Sequence, residues 1–255
     1  MAGFVGQQFG NYRLERILGR GAFADVYLGR HILYNNDEVA VKVLHDQLSE
    51  EGRANFENEA SMLLKLRHPN IVHLRDYGIR QDGVSYLIMD YAPNGSMDEK
   101  YPVGKRLALP EVIAYVKQAA EALRYAHAEK VIHCDIKPAN ILLGSKNEIV
   151  LGDFGIAIIA QNTRAMKTGD PIGTIEFMSP EQILGRPRPA SDQYSLAIVV
   201  YLWLTGTLPF NGSYGEILMQ QWKEEPPRLR SIVSSLPVAV EKVVLKALSK
   251  ETKDR

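Results

Sequence analysis

Along the first third of the chain apolar residues alternate with polar ones in short runs; farther on they recur every three or four positions. The alternating part predicts strands at 12–18, 24–29, 38–44, 71–79 and 85–91. Turn-forming groups such as Asn35-Asn36-Asp37 and Gln81-Asp82-Gly83 lie between them. One helix, 51–66, interrupts the strands: Phe56, Ala60, Leu63 and Leu64 share a face, and His68-Pro69-Asn70 closes it. Past Pro93-Asn94-Gly95 the period is helical. Val112, Val116, Ala119, Leu123 and Ala126 form one stripe, with Pro110 placed in the first turn. Residues 192–204 are apolar on nearly every side, which predicts a helix inside a larger body with Ser191 as its N-cap. Two short runs, 141–143 and 149–151, read as paired strands. Strands first and helices later, joined by a Pro/Gly segment, make an α+β chain of two unequal lobes.

Composition narrows the function classes. The 255 residues are enough for one large domain with a real core, and 45% hydrophobic with 24% charged residues is the balance of an ordinary soluble protein. Thirty basic and thirty acidic side chains cancel, so no overall charge points to nucleic acid or an acidic membrane surface. A single cysteine, Cys134, excludes an intrachain disulfide and fits a reducing compartment. The first residues lack the charged start and apolar core of a signal peptide, and the longest apolar run, 196–204, is far short of a spanning helix. The expectation is a soluble, cytoplasmic piece with no membrane segment of its own.

The chemistry concentrates in His133-Cys134-Asp135-Ile136-Lys137-Pro138-Ala139-Asn140 and in Asp153-Phe154-Gly155. Asp135, Lys137 and Asn140 fall within six residues, a spacing that lets a loop point an acid, a cation and an amide at one small volume. Any one alone reads as a surface-loop residue; the set at this spacing does not. Lys42 shares a strand face with Ala40 and Leu44, so a cation lies within an apolar strand. Glu59 lies three residues after Phe56 and four before Leu63, on or beside the apolar face of its helix. Burying either charge alone is expensive, so each is expected to find the other. Gly19-Arg20-Gly21-Ala22-Phe23-Ala24 lies between two strand patterns. By itself it reads as a plain hairpin turn sooner than as a loop whose backbone approaches phosphates; its place about 20 residues before Val39-Ala40-Val41-Lys42 favours the phosphate loop.

These motifs, in this order, resemble the protein kinases. Lys137 two positions past Asp135, together with Gly173-Thr174, is similar to the serine/threonine type, and the phrasing of 190–196 and 206–210 resembles bacterial kinases of the eukaryotic-like type. The resemblance implies a two-lobed catalytic domain over 12–255: an N-lobe of about 12–91 with an antiparallel sheet and one helix, a hinge near 90–95, and a mainly helical C-lobe from 96, cut before its last helix. It implies transfer of the γ-phosphate of ATP, with Mg2+ or alternatively Mn2+, to serine or threonine hydroxyls of protein substrates. Asp135 then accepts or orients the hydroxyl proton, Lys137 sits against the transferred phosphate, and Thr174 bonds to both. Asn140 and Asp153 hold the metal through oxygen. Leu18, Gly19 and Gly21 lie over the nucleotide, and Lys42 with Glu59 holds its α- and β-phosphates. Met89 is the gatekeeper, the Asp90 carbonyl and Ala92 backbone meet the adenine edge, and Val26, Ala40 and Leu142 enclose the ring. Asp192 ties down the catalytic-loop backbone and Arg255 pairs with Glu181, although both also read as solvated helix ends.

Two departures stand out. Ala24 replaces the third glycine of the phosphate loop. Cys134 stands where kinases switched by activation-segment phosphorylation carry arginine, so phosphate at Thr163 or Thr168 loses its usual anchor. The rival readings are a nucleotide-binding pseudokinase scaffold, disfavoured because Lys42, Asp135 and Asp153 are all present, and a small-molecule phosphotransferase, disfavoured by the 173–181 stretch. Substrate identity, activating signal, oligomeric state and a membrane anchor elsewhere in a longer protein are not legible.

Overall fold

Val39, Val41 and Val43 face one side of a strand and Ala40, Lys42 and Leu44 the other, and each side finds its own core. The computed structural model, which describes residues 3–34, 37–45, 47–154 and 175–255, builds around this strand a six-stranded sheet. Its strands are β1 (Gln8–Phe9), β2 (Tyr12–Arg20), β3 (Ala24–His31), β4 (Glu38–Leu44), β5 (Leu74–Ile79) and β6 (Ser85–Asp90), in the order β1-β2-β3-β4-β6-β5 with all pairs antiparallel. The valine face packs on Phe9, Leu14, Tyr27, Tyr86 and Ile88. The extent of this outer core was not legible in the alternation alone: Phe9 is fully buried on the added strand β1, and Phe4 lies edge-on to Phe9 at 5.3 Å.

The other face meets helix α1 (Glu50–Leu63), whose Phe56, Ala60 and Leu63 are buried. Ser49 caps it by accepting from Gly52 N–H at 3.2 Å. The helix ends at Leu63, ahead of the expected His68-Pro69-Asn70, and the strand expected from residue 71 begins at Leu74. Ile71 contributes instead an isolated bridge to Leu151, tying this half of the molecule to the next.

The helical half comprises α2 (Met97–Lys100), α3 (Leu109–Ala128), α4 (Pro180–Ile183), α5 (Pro189–Thr205), α6 (Tyr214–Lys223), α7 (Leu229–Ile232) and α8 (Val238–Ala247), with the hairpin β7 (Ile141–Leu143) and β8 (Ile149–Leu151). The expected stripe on α3 is confirmed at Val112, Ala119, Leu123 and Ala126, all buried. Helix α5 is buried along almost its whole length, from Ser191 to Thr205, and stops at Gly206 with φ of 80°, a left-handed conformation that glycine adopts without strain. Ser191 is not its N-cap. Pro189, with φ preset for a helix, starts the helix earlier, and the Ser191 hydroxyl accepts from Arg188 N–H at 3.0 Å from within the first turn. Among the described residues no helix is long and apolar enough to cross a membrane.

Candidate active site

Three short loops place the reactive groups. The first, 133–140, is held from beneath by Asp192, which is 1% exposed and accepts from His133 N–H and Cys134 N–H at 2.9 Å each and from His127 Nε2 at 2.7 Å. Asp192 is therefore a buried brace rather than a solvated helix end. Each such buried N–H left unmade would cost about 1–3 kcal/mol. The loop needs this hold because Cys134 has φ of 64°, which a side-chain-bearing residue adopts only at a cost. Gln182 on α4 donates to the Cys134 carbonyl, so the backbone of this residue is held through both its N–H and its carbonyl. Sequence reasoning passed over Gln182, which carries no motif of its own.

Within the loop Lys137 Nζ lies 2.8 Å from Asp135 Oδ2, and Asn140 Nδ2 donates to the same oxygen at 2.7 Å and to the Asp135 carbonyl at 2.8 Å. The expected acid, cation and amide thus meet on one carboxylate. With its nitrogen spent on Asp135, Asn140 has its amide oxygen left for a cation.

The second loop follows β8 and carries Asp153, whose φ of 61° is again left-handed. Phe154 is buried against the His133 ring, centroids 4.4 Å apart. Asp153 Oδ1 accepts from Lys42 Nζ at 2.8 Å. Burial works to raise the Asp153 carboxyl, but the Lys42 ammonium, with His133 and Lys137 nearby, outweighs it and holds the group below its usual range.

The expected Lys42–Glu59 pair is not formed. Lys42 instead bonds Asp153, 111 residues away in sequence. Glu59, half-buried, has no ion-pair partner among the described residues, and burial pushes its carboxyl up to about 8.

The third loop joins β2 and β3. Leu18 is an extra residue opposite β3, between the register pairs Ile17–Tyr27 and Gly19–Val26. A Cβ on Gly19 would meet nothing within 4 Å, so the protein's own packing does not demand glycine there, whereas a ligand lying close to the backbone would. Gly21 N–H is already donated to the Ala24 carbonyl at 2.9 Å.

Between the two halves lies a cleft of about 500 Å3. Leu18, Gly19, Val26, Ala40, Met89, Asp90, Ala92, Asn140, Leu142 and Asp153 line it, all residues singled out from the sequence. Gly21, Lys42 and Glu59 are not part of that lining, although Lys42 reaches it through Asp153. Val72, Ala139, Gly152 and the mouth residues Ser96, Asp98 and Glu99 also line the cleft and were missed, being small or ordinary polar residues without a motif. Thr163, Thr168, Gly173 and Thr174 lie outside the described residues.

Arg255 is the other brace. Its side chain is 1% exposed and forks onto Glu181, Nη1 to Oε1 at 2.6 Å and Nη2 to Oε2 at 2.8 Å, overturning the solvated alternative. Burial would raise the Glu181 carboxyl, yet Arg255 and the Ser191 hydroxyl together keep it below the usual range.

Cys134 is 6% exposed, and burial, reinforced by Asp192, Glu59 and Asp135, pushes its thiol up to about 12. Thiolate is the reactive form. The folded protein is therefore expected to resist alkylation by iodoacetamide at pH 8, and urea to expose one reactive thiol. Mass spectrometry checks this, and stoichiometric alkylation of the folded protein would refute it.

A family model described as protein kinase domain matches residues 12–255. Among curated proteins, the chain is 34% identical over 246 residues to the serine/threonine-protein kinase PrkC of Bacillus subtilis, covering 95% of this chain and 38% of that protein. It is 37% identical over 261 residues to the serine/threonine-protein kinase Pkn1 of Myxococcus xanthus, covering 98% and 37% respectively. To the serine/threonine-protein kinase PknB of Mycobacterium leprae it is 36% identical over 252 residues, covering 96% and 40%. The chain thus spans about two fifths of the length of these relatives.

Proposed function

This chain belongs to the protein kinase family, with bacterial serine/threonine kinases among its relatives, and we propose that it transfers the γ-phosphate of ATP to serine or threonine hydroxyls of protein substrates. The observation that carries the reading is the convergence of Asp135, Lys137 and Asn140 on one carboxylate beside a cleft that also receives the Lys42–Asp153 pair. Phosphoryl transfer asks the protein mainly for positioning and charge neutralisation, and these five side chains supply both.

In this reading the apolar walls at Val26, Ala40 and Leu142 enclose a flat base, and the backbone of Asp90 and Ala92 meets its edge. Asp135 orients the acceptor hydroxyl and takes its proton. Lys137, held against Asp135, offsets negative charge as the hydroxyl oxygen attacks. A divalent cation, Mg2+ or Mn2+, when bound supplies further neutralisation of phosphate oxygens. The donor set fits such an ion: the free amide oxygen of Asn140 and the carboxylate of Asp153 are hard oxygen ligands, and Mg2+ is held by one or two such groups plus substrate phosphates rather than by an all-protein cage. The same reading assigns an N-lobe of about 12–91, a hinge at 90–95, a C-lobe from 96 and a cytoplasmic site of action. Thr174 is proposed to bond Asp135 and Lys137.

The test is incubation of the purified chain with γ-labelled ATP, Mg2+ and a generic protein substrate, followed by phosphoamino-acid analysis. Label on phosphoserine and phosphothreonine is expected. Nucleotide binding without any transfer would favour the scaffold alternative.

A further inference from the structure

Strand β5 carries one residue more than its partner: Leu74 pairs with Met89 and Asp76 with Ile88, leaving Arg75 as the extra residue of a bulge. Bulges re-aim a side chain next to functional sites. The bulge here sends a guanidinium across the end of β6. Arg75 Nε lies 2.5 Å from Asp90 Oδ1, and its Nη1 lies 2.5 Å from Asp37 Oδ1. Asp37 is braced in turn by Tyr12, whose hydroxyl donates to Oδ2 at 3.0 Å. Asp90 is the last residue of β6 and the first of the connection between the two halves, and its own N–H donates to the His73 carbonyl at 2.9 Å. The side chain of Asp90 is thus tied to β5 and, through Arg75, to the entry of β4.

We propose that Arg75 is a positioning residue for the adenine end of the nucleotide: by fixing the Asp90 side chain it sets the direction of the Asp90–Ala92 backbone that meets the base. This rests on reading the cleft as a nucleotide site. Arg75 itself does not line that cleft, so its effect runs through Asp90. A lysine could not reproduce it, because a single ammonium lacks the fork that bridges two separate carboxylates. The pairs are about one-third to one-half exposed, Arg75 at 35%, Asp37 at 33% and Asp90 at 48%, so the effect is moderate.

The experiment compares Arg75→Ala, Arg75→Lys and wild type for ATP KM and kcat, and for competitive inhibition by adenosine and by inorganic tripolyphosphate. For Arg75→Ala the KM for ATP and the inhibition constant of adenosine are expected to rise together by about three- to fivefold, the scale of a partly exposed ion pair. The tripolyphosphate constant and kcat are expected to stay put, with Arg75→Lys intermediate. A lower melting temperature with an unchanged adenosine constant would mean that Arg75 only braces the sheet and would overturn the inference. A fall in kcat at constant KM would overturn it as well. Should Arg75→Ala not fold, Asp90→Ala removes the same contact at the other end while keeping the backbone groups proposed to meet the base, and must give the same selective loss of adenosine. Wild-type protein that binds neither ATP nor adenosine overturns the nucleotide reading together with this one; wild-type protein that binds both, with unchanged variants, overturns this one alone.

Discussion

Asp135→Asn is expected to bind nucleotide as the wild type does and to lose about 10²–10⁴-fold in transfer rate, the range ascribed to a positioned general base. Asparagine keeps the shape but cannot take up the hydroxyl proton. Its neutral amide also gives up the negative charge that Lys137 and Asn140 meet on Asp135 Oδ2. Asp153→Asn should lose transfer too, for a different reason: it removes the charge that balances Lys42 and turns the one anionic ligand proposed for the metal into a neutral amide, so metal-dependent nucleotide affinity falls as well. Calorimetric titration with nucleotide, with and without Mg2+, separates the two variants, and a labelled-ATP assay reads transfer. Wild-type turnover by Asp135→Asn would remove Asp135 from the chemistry.

The second large effect belongs to Lys42 and Glu59. Their carboxylate and ammonium do not meet in this structure, whereas the family resemblance implies that they pair when phosphates are held. The Glu59 carboxyl is raised from its ordinary 4.5 to about 8 by burial alone. A raised acid binds a proton in the folded chain that the unfolded chain has already released. Glu59 therefore costs this arrangement stability progressively as pH rises from 4.5 to 8, and the loss levels off above that. Glu59→Gln carries no charge to bury, so it is expected to melt higher than wild type at pH 8.5, by roughly 2–4 °C for each kcal/mol recovered, and to flatten the pH slope. Its transfer rate should fall about 10²-fold, the cost of misplacing the reacting groups.

Two double-mutant cycles then report different states. In stability, Lys42 should couple to Asp153 and hardly to Glu59. In activity, Lys42 and Glu59 should be strongly non-additive because they act as one unit. A fully active Glu59→Gln, or additive losses in the activity cycle, would show that the pair never forms during turnover. The opposite signs for stability and rate are what a strained functional group predicts.

Local chemistry and period were enough to read most of this protein from its residues in order. Alternation placed β4 at its observed limits, the helical stripe placed α3, and six consecutive loop positions brought Asp135, Lys137 and Asn140 onto one point. These readings succeed because each depends on residues close in sequence, where backbone geometry alone fixes who faces whom. Tertiary structure decided the rest. Arg75 became a clamp only through a bulge visible in the strand register, and Asp192 and Arg255 turned from apparent surface charges into buried braces only when their partners, about 58 and 74 residues away, closed around them. Lys42 shows the difference most sharply. Its strand face announced a buried cation in need of a carboxylate, but which carboxylate could be settled only by the distances and burial that the assembled fold creates, where a proton on Glu59 is cheaper than a second charge.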